Sequence, residues 1–409
     1  MIQNVIKGVY MDNSHRRVNK RIRFIDASGS PIADLEIKIT QTAHKFLFGC
    51  GGFDFMRLVI DNDESFKQLT DSWLEIFNYA TLPFYWGLFE PIEGQPQTEG
   101  LLKTAEYLKS KGVKVKGHPL CWHTVCADWL LKYDNKTIMD KQLARIKREV
   151  TDFKGVIDMW DVINEVVIMP VFDKYDNAVT RICNDKGRIK LVKEVFDKAA
   201  ECNPNATLLL NDFNTSPKYE ELIEECLDAG VPISAIGIQS HQHQGYWGAE
   251  KLNDVLNRFS RFNLPIHFTE NTIISGDLMD PDIVDLNDWQ VDDWPSTPEG
   301  EARQAKEIEE MYRILFAHPL VEAITSWDYK DGAWLNAPSG LVRRDNTCKP
   351  AHAVLKKLIK DEWWTDTVVK TDSDGYASVD AYKGSYKVEA AGRVSEVDLS
   401  DDTVAVITI

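Results

Sequence analysis

The sequence predicts a (β/α)8 barrel of the TIM type carrying a small β-module assembled from the N- and C-terminal segments. Three features predict it. Across roughly 300 residues, short apolar stretches alternate with amphipathic helical ones, the pattern of parallel β/α units. Eight such stretches occur, the number that closes a barrel. Alternating apolar and polar residues, the mark of half-buried strands, are confined to the two ends of the chain.

In chain order, residues 1–44 are expected to form the first part of the module. Ile22 and Phe24, then Leu35, Ile37 and Ile39, alternate with polar residues around Ala27-Ser28-Gly29-Ser30-Pro31, which reads as a β-hairpin with one buried face. The barrel is expected over 45–360, with strands at 46–49, 76–81, 113–117, 156–162, 206–210, 235–238, 265–268 and 323–327. Between strands, Leu191, Val192, Val195, Phe196 and Ala199 recur at helical spacing over 189–200. After the seventh strand, Thr297 and Pro298 read as N-cap and first position of a helix that turns Ile308, Met311, Tyr312 and Leu315 inward. Residues 361–409 return to strand texture, with Val368-Val369, Tyr386, Val388 and 404–407 separated by Asp374-Gly375 and Lys383-Gly384. Isolated two-stranded hairpins are marginal in water, so the two ends are expected to pair. A doubly wound open sheet is the alternative architecture, but no glycine-rich phosphate loop supports it.

Composition narrows the function. With 64 acidic against 47 basic residues, a net charge of -17 excludes the basic footprint that nucleic acid or an anionic membrane requires. No run approaches the length of a membrane span. Twelve Trp and thirteen Tyr supply flat amphipathic faces of the kind that suit sugar rings. Seven scattered cysteines without a C-x-x-C read as free thiols, neither a disulfide frame nor a zinc site. The N-terminus lacks a signal-peptide pattern, so the protein is expected either in the cytoplasm or exported with its signal removed. No cofactor and no metal is expected; oligomeric state is not encoded legibly.

In a barrel of this type the site lies at the C-terminal ends of the strands, so the polar residues after each apolar run carry the argument. They are His118, Trp122 and His123 after the third strand, Asn164 and Glu165 after the fourth, Asn211 and Asp212 after the fifth, Gln239 and His241 after the sixth, Glu270 after the seventh, and Trp327 and Asp328 after the eighth. Two glutamates converging on one cleft suffice for acetal hydrolysis: one protonates the leaving oxygen, the other attacks the anomeric carbon or activates water. Two other readings use the same residues. A metal-dependent hydrolase would draw on His241, His243, His118 and His123, although no strand-end Asp or Lys completes a ligand set. A sugar-binding protein on a barrel scaffold is the other, against which the presence of both glutamates argues. The loop 277–293, with seven Asp, reads as an exposed acidic loop, and Tyr246-Trp247 as either a sugar platform or a loop anchor.

Five motifs together resemble glycoside hydrolase family 10, the retaining endo-β-1,4-xylanase family. They are Gly117-His118-Pro119-Leu120-Cys121-Trp122-His123, Trp160-Asp161-Val162-Ile163-Asn164-Glu165, Leu210-Asn211-Asp212-Phe213-Asn214, Ile236-Gly237-Ile238-Gln239-Ser240-His241 and Pro265-Ile266-His267-Phe268-Thr269-Glu270. The resemblance covers most of 45–360. It implies Glu165 as acid/base, Glu270 as nucleophile, His241 as the nucleophile's hydrogen-bond partner and Asn164 as a contact to the sugar 2-hydroxyl. His118, Trp122, Gln239, Trp327 and Trp334 match positions that wall the sugar subsites. The implied substrate is β-1,4-linked xylan or xylo-oligosaccharide. Two departures stand out. The family's Glu-Asn-x-x-Lys after the second strand is replaced by Leu82-Pro83-Phe84-Tyr85 before Trp86, pointing to a different or decorated glycoside as an alternative substrate, and the Asp that usually holds the histidine is Thr272 here. Loss of the Lys leaves His118, His123 and His241 as the expected electrostatic relief for the two glutamates.

Overall fold

The computed structural model of the chain describes residues 12–409. Strand β1 (Arg17–Ile25) and strand β2 (Glu36–His44) come first. Eight parallel strands follow: β3 (Leu47–Gly51), β4 (Tyr79–Pro83), β5 (Lys114–His118), β6 (Met159–Asn164), β7 (Thr207–Asp212), β8 (Ala235–Gln242), β9 (Ile266–Ile273) and β10 (Val321–Ser326). They close into a barrel, β10 pairing back onto β3. All eight expected barrel strands are present.

Their ends differ from the sequence reading for physical reasons. β4 begins three residues later than the apolar run, because Ile76 and Phe77 close the turn after the preceding helix, each donating its N–H to Trp73 O at 3.2 Å; Asn78 then bridges to the neighbouring strand, its Oδ1 accepting from Phe48 N–H at 2.9 Å and its Nδ2 donating to the His44 and Phe46 carbonyls. β8 and β9 run on through Gln239, His241 and Glu270, since polar side chains interrupt an apolar run without interrupting a ladder. The helix Arg188–Cys202 buries the five expected side chains, and Thr297 caps the helix Pro298–Ala317 by accepting from Gly300 N–H at 3.0 Å.

The chain ends in β11 (Asp366–Lys370), β12 (Tyr376–Tyr382), β13 (Gly384–Ala390), β14 (Arg393–Asp398) and β15 (Ala405–Thr408). These build the small β-module with the first two strands, but the expected hairpin is not there. β1 lies between β12 and β15, and β2 between β11 and β13, in two separate sheets. The turn begins as a hairpin, with Ile25 opposite Pro31 and Ile32 N–H donating to Phe24 O, and then the strands part. The alternation does mark the buried face, since Ile22, Phe24, Ile37 and Ile39 share one core. It identifies the buried face and not the partner: two facing sheets bury that face from both sides, which a lone hairpin cannot do. Arg16 ties the module to the end of the barrel where strands begin, donating to the carbonyls of Phe316, His318 and Val321 at 2.9, 2.7 and 2.5 Å. Among the described residues no helix is long and apolar enough to cross a membrane.

Candidate active site

At the opposite end, the strand-end residues converge. Glu165 directly follows β6 with φ of 58°, a left-handed backbone that a β-carbon disfavours, and it is held there by its N–H donating to Asn211 O at 2.8 Å. Its carboxylate accepts from Trp122 Nε1 at 2.8 Å, Gln239 Nε2 at 3.2 Å and Asn164 Nδ2 at 3.3 Å. Across the barrel, Glu270 on β9 accepts from Asn211 Nδ2 at 2.8 Å and meets His241 Nε2 at 3.1 Å. One amide chain joins the two acids, because Asn211 Nδ2 and Gln239 Nε2 both also donate to Asn164 Oδ1, at 2.8 and 3.1 Å. Thr269 orients the Asn211 amide by donating to its Oδ1 at 2.7 Å, and Gly237 makes room for it, since a β-carbon there would stand 2.4 Å from that oxygen.

The two carboxyls are driven apart electrostatically. Burial, with the neighbouring Glu270 charge, pushes Glu165 up to about 8. Burial acts on Glu270 in the same direction, but the neighbouring His118 and His241, with the buried Lys116 behind them, outweigh it and hold Glu270 below the ordinary glutamate value. Lys116 is a residue that reading strand ends missed. Fully buried on β5, it places Nζ 2.6 Å from Asp161 Oδ2, the same oxygen that receives His118 Nδ1 at 2.7 Å. The signal was present: Lys116 and His118 are two apart on one strand, hence on one face. Asp212, whose carboxylate receives Val167 N–H at 3.0 Å, is pushed by burial up to about 7.

Aromatic rings gather around the same histidines. Trp327 meets the His118 ring edge-on at 5.3 Å, and Trp334 lies 4.6 Å from the His241 ring. Tyr85, in the segment that departs from the resemblance, packs at 5.8 Å from His118 and 5.7 Å from Trp122. His123 corrects the reading. Its ring turns away onto Phe172 at 4.4 Å and burial pushes it down to about 4, so at neutral pH it carries no charge to relieve the glutamates. Behind His241, the Thr272 hydroxyl lies 3.5 Å from its Nδ1 but 3.2 Å from that of His243, so this hydroxyl is shared rather than dedicated. Asp328 takes no part in the cleft network; it accepts from Ser339 Oγ at 2.5 Å.

A sequence model described as glycosyl hydrolase family 10 matches residues 84–357, more than half of the chain. The chain belongs to glycosyl hydrolase family 10. Among family relatives, an endo-1,4-beta-xylanase/feruloyl esterase of Xylanibacter ruminicola is 25% identical over 318 residues, 70% of this chain and 42% of that protein. An anti-sigma-I factor, RsgI6, of Acetivibrio thermocellus is 26% identical over 387 residues, 92% of this chain and 45% of that protein. The chain thus spans less than half the length of either relative. A family 10 endoxylanase from a sugarcane soil metagenome superposes with a TM-score of 0.64 at 23% identity, covering 77% of this chain and 97% of that one. Xylanase 10B of Thermotoga petrophila, solved with xylobiose, gives 0.63 at 20% identity, covering 78% and 95%. At such identities the likeness establishes the fold.

Proposed function

We propose that this chain is a retaining glycoside hydrolase acting on β-1,4-linked xylan-type chains or xylo-oligosaccharides, with 45–360 as its catalytic unit and the terminal segments as an accessory module. The observation that carries the reading is the pair Glu165 and Glu270, bridged by Asn164, Gln239 and Asn211 and pushed to opposite protonation states. Glu270, ionised, attacks the anomeric carbon as the bond to the leaving oxygen breaks, and Glu165 gives that oxygen its proton. The glycosyl ester neutralises Glu270. Its charge no longer raises Glu165, which then takes a proton from water as the water oxygen attacks the anomeric carbon and the bond from that carbon to Glu270 breaks, restoring the Glu270 carboxylate. His241 positions the nucleophile; Asn164, His118, Trp122, Gln239, Trp327 and Trp334 hold the sugars. Tyr85 beside His118 and Trp122 puts a phenol where the family carries charged groups, favouring a decorated or differently held glycone.

The test is turnover of linear xylan and of an aryl β-xylobioside, with the anomer released followed by proton NMR. The β-anomer is expected first; the α-anomer would mean inversion. No turnover of either substrate would overturn the reading.

The pH profile is a second expected result. The reactive free enzyme has Glu270 ionised and Glu165 protonated. Therefore kcat/KM should rise on the acid side at a pH below that of an ordinary glutamate, stay level through neutrality and fall as pH passes about 8. A profile still level well above that value would remove Glu165 from the acid role.

One observation favours a second reading. The relative matched over 92% of this chain is named as an anti-sigma-I factor and not as a hydrolase, so sugar binding without turnover is the alternative. Binding of xylo-oligosaccharide without turnover would select it.

A further inference from the structure

The loops that follow the two glutamates touch each other. After β9 the chain makes a long excursion, 274–297, with an apolar core of its own formed by Ile274, Met279 and Trp294 with Ala337. It first crosses the loop after β8, where Met279 N–H donates to His243 O at 2.9 Å and Gln244 Nε2 donates to the carbonyls of Asp280 and Ile283. Its tip then reaches the loop after β6, where Lys174 Nζ lies 2.6 Å from Asp285 Oδ2 and 2.7 Å from Asp288 Oδ1. From there it returns toward β10, Asn336 donating to Asp292 O at 2.9 Å. In the barrel β7 and β8 stand between β6 and β9. A contact between the loops of β6 and β9 therefore spans the mouth above β7 and β8, the sector in which Phe213, directly after β7, is exposed.

We propose that this span is an arch over the sector of the cleft above β7 and β8, latched by Lys174 on Asp285 and Asp288, and that the latch sets substrate length by hindering sideways entry of a long chain. The inference rests on the glycoside hydrolase reading. The geometry supplies the mechanism: the excursion is held at its base by its own core and by backbone hydrogen bonds, whereas its tip is held by one ammonium shared between two carboxylates. Those side chains are partly exposed, so the latch is weak and screened by salt. A chain running past Glu165 in both directions must thread beneath it or wait for it to open. The acidic loop thereby has a use that its composition did not disclose.

The experiment compares the full chain with K174E, in which a carboxylate faces Asp285 and Asp288. The ratio of kcat/KM on soluble long-chain xylan to that on an aryl β-xylobioside should rise about three- to fivefold, the range that exposed ion pairs command. The charge-swapped K174E/D285K/D288K should return the ratio to the wild-type value. An unchanged ratio in K174E overturns the proposal, as does a swapped variant that behaves like K174E. Association of xylohexaose, followed by tryptophan fluorescence, needs no turnover: it should quicken about three- to fivefold in K174E while that of xylobiose stays unchanged. Equal association rates overturn the arch. Wild-type protein that binds xylohexaose without cleaving anything removes the hydrolase reading and leaves the arch standing on the rates alone.

Discussion

Glu270→Gln is expected to lower turnover of every glycoside tested by roughly 10^4-fold or more, the scale on which removal of a covalent nucleophile is felt. The substitution is close to isosteric. A Gln carbonyl oxygen can still accept from Asn211 Nδ2, now 2.8 Å away, and its amide nitrogen faces His241 Nε2 at 3.1 Å. The fold and sugar binding should therefore survive while the anomeric carbon loses its attacking oxygen. Mass spectrometry of wild-type protein quenched with a slowly hydrolysed 2-fluoro glycoside should show one sugar on the peptide carrying Glu270, and none in the variant. Residual activity above about one hundredth of wild type, on a purified and folded variant, would move the nucleophile elsewhere.

Glu165→Ala should separate substrates by leaving group. An aryl glycoside whose phenolate departs unaided needs no proton, so its first step should be nearly spared. An unactivated xylosidic bond should lose about 10^2- to 10^4-fold, the usual worth of general acid catalysis. Hydrolysis of the glycosyl ester also loses its base, so the activated substrate should show a burst of phenolate followed by a slow steady rate, and a small anionic nucleophile should accelerate that second phase. The fall in kcat/KM near pH 8 should vanish with the carboxyl responsible for it. Equal losses on activated and unactivated substrates would contradict the role.

The barrel and most of the cleft were legible because each depends on local pattern. Apolar runs of strand length announce β3 to β10, and the polar residue at the end of each run announces a side chain at the mouth. Three things escaped for identifiable reasons. Lys116 sits inside an apolar strand, where a lone lysine looks like noise until Asp161 on the neighbouring strand is seen 2.6 Å away. His123 shares a motif with Trp122 yet points the other way, and sequence proximity does not report direction once a chain has left its strand. β1 and β2 satisfied the hairpin pattern while pairing with strands more than three hundred residues distant. Alternation carries no information about such partners.

That last pairing orders events at the ribosome. β1 is aligned from Arg17 opposite Tyr382 to Arg23 opposite Tyr376, and β2 from Glu36 opposite Lys370 to Thr40 opposite Asp366. At ordinary translation speeds the two earliest strands wait roughly half a minute for those partners to be made. Throughout that interval their ladder groups are unpaired and Ile22, Phe24, Ile37 and Ile39 face solvent or the growing barrel. The barrel strands pair mostly with their sequence neighbours and can assemble progressively; only the closing β10–β3 pair is comparably long-range. The module thus cannot be completed until the barrel strands have all been made. A nascent chain halted before β11 would present two adhesive strands beside an otherwise assembled barrel, and would be a natural client for a chaperone that binds extended apolar segments.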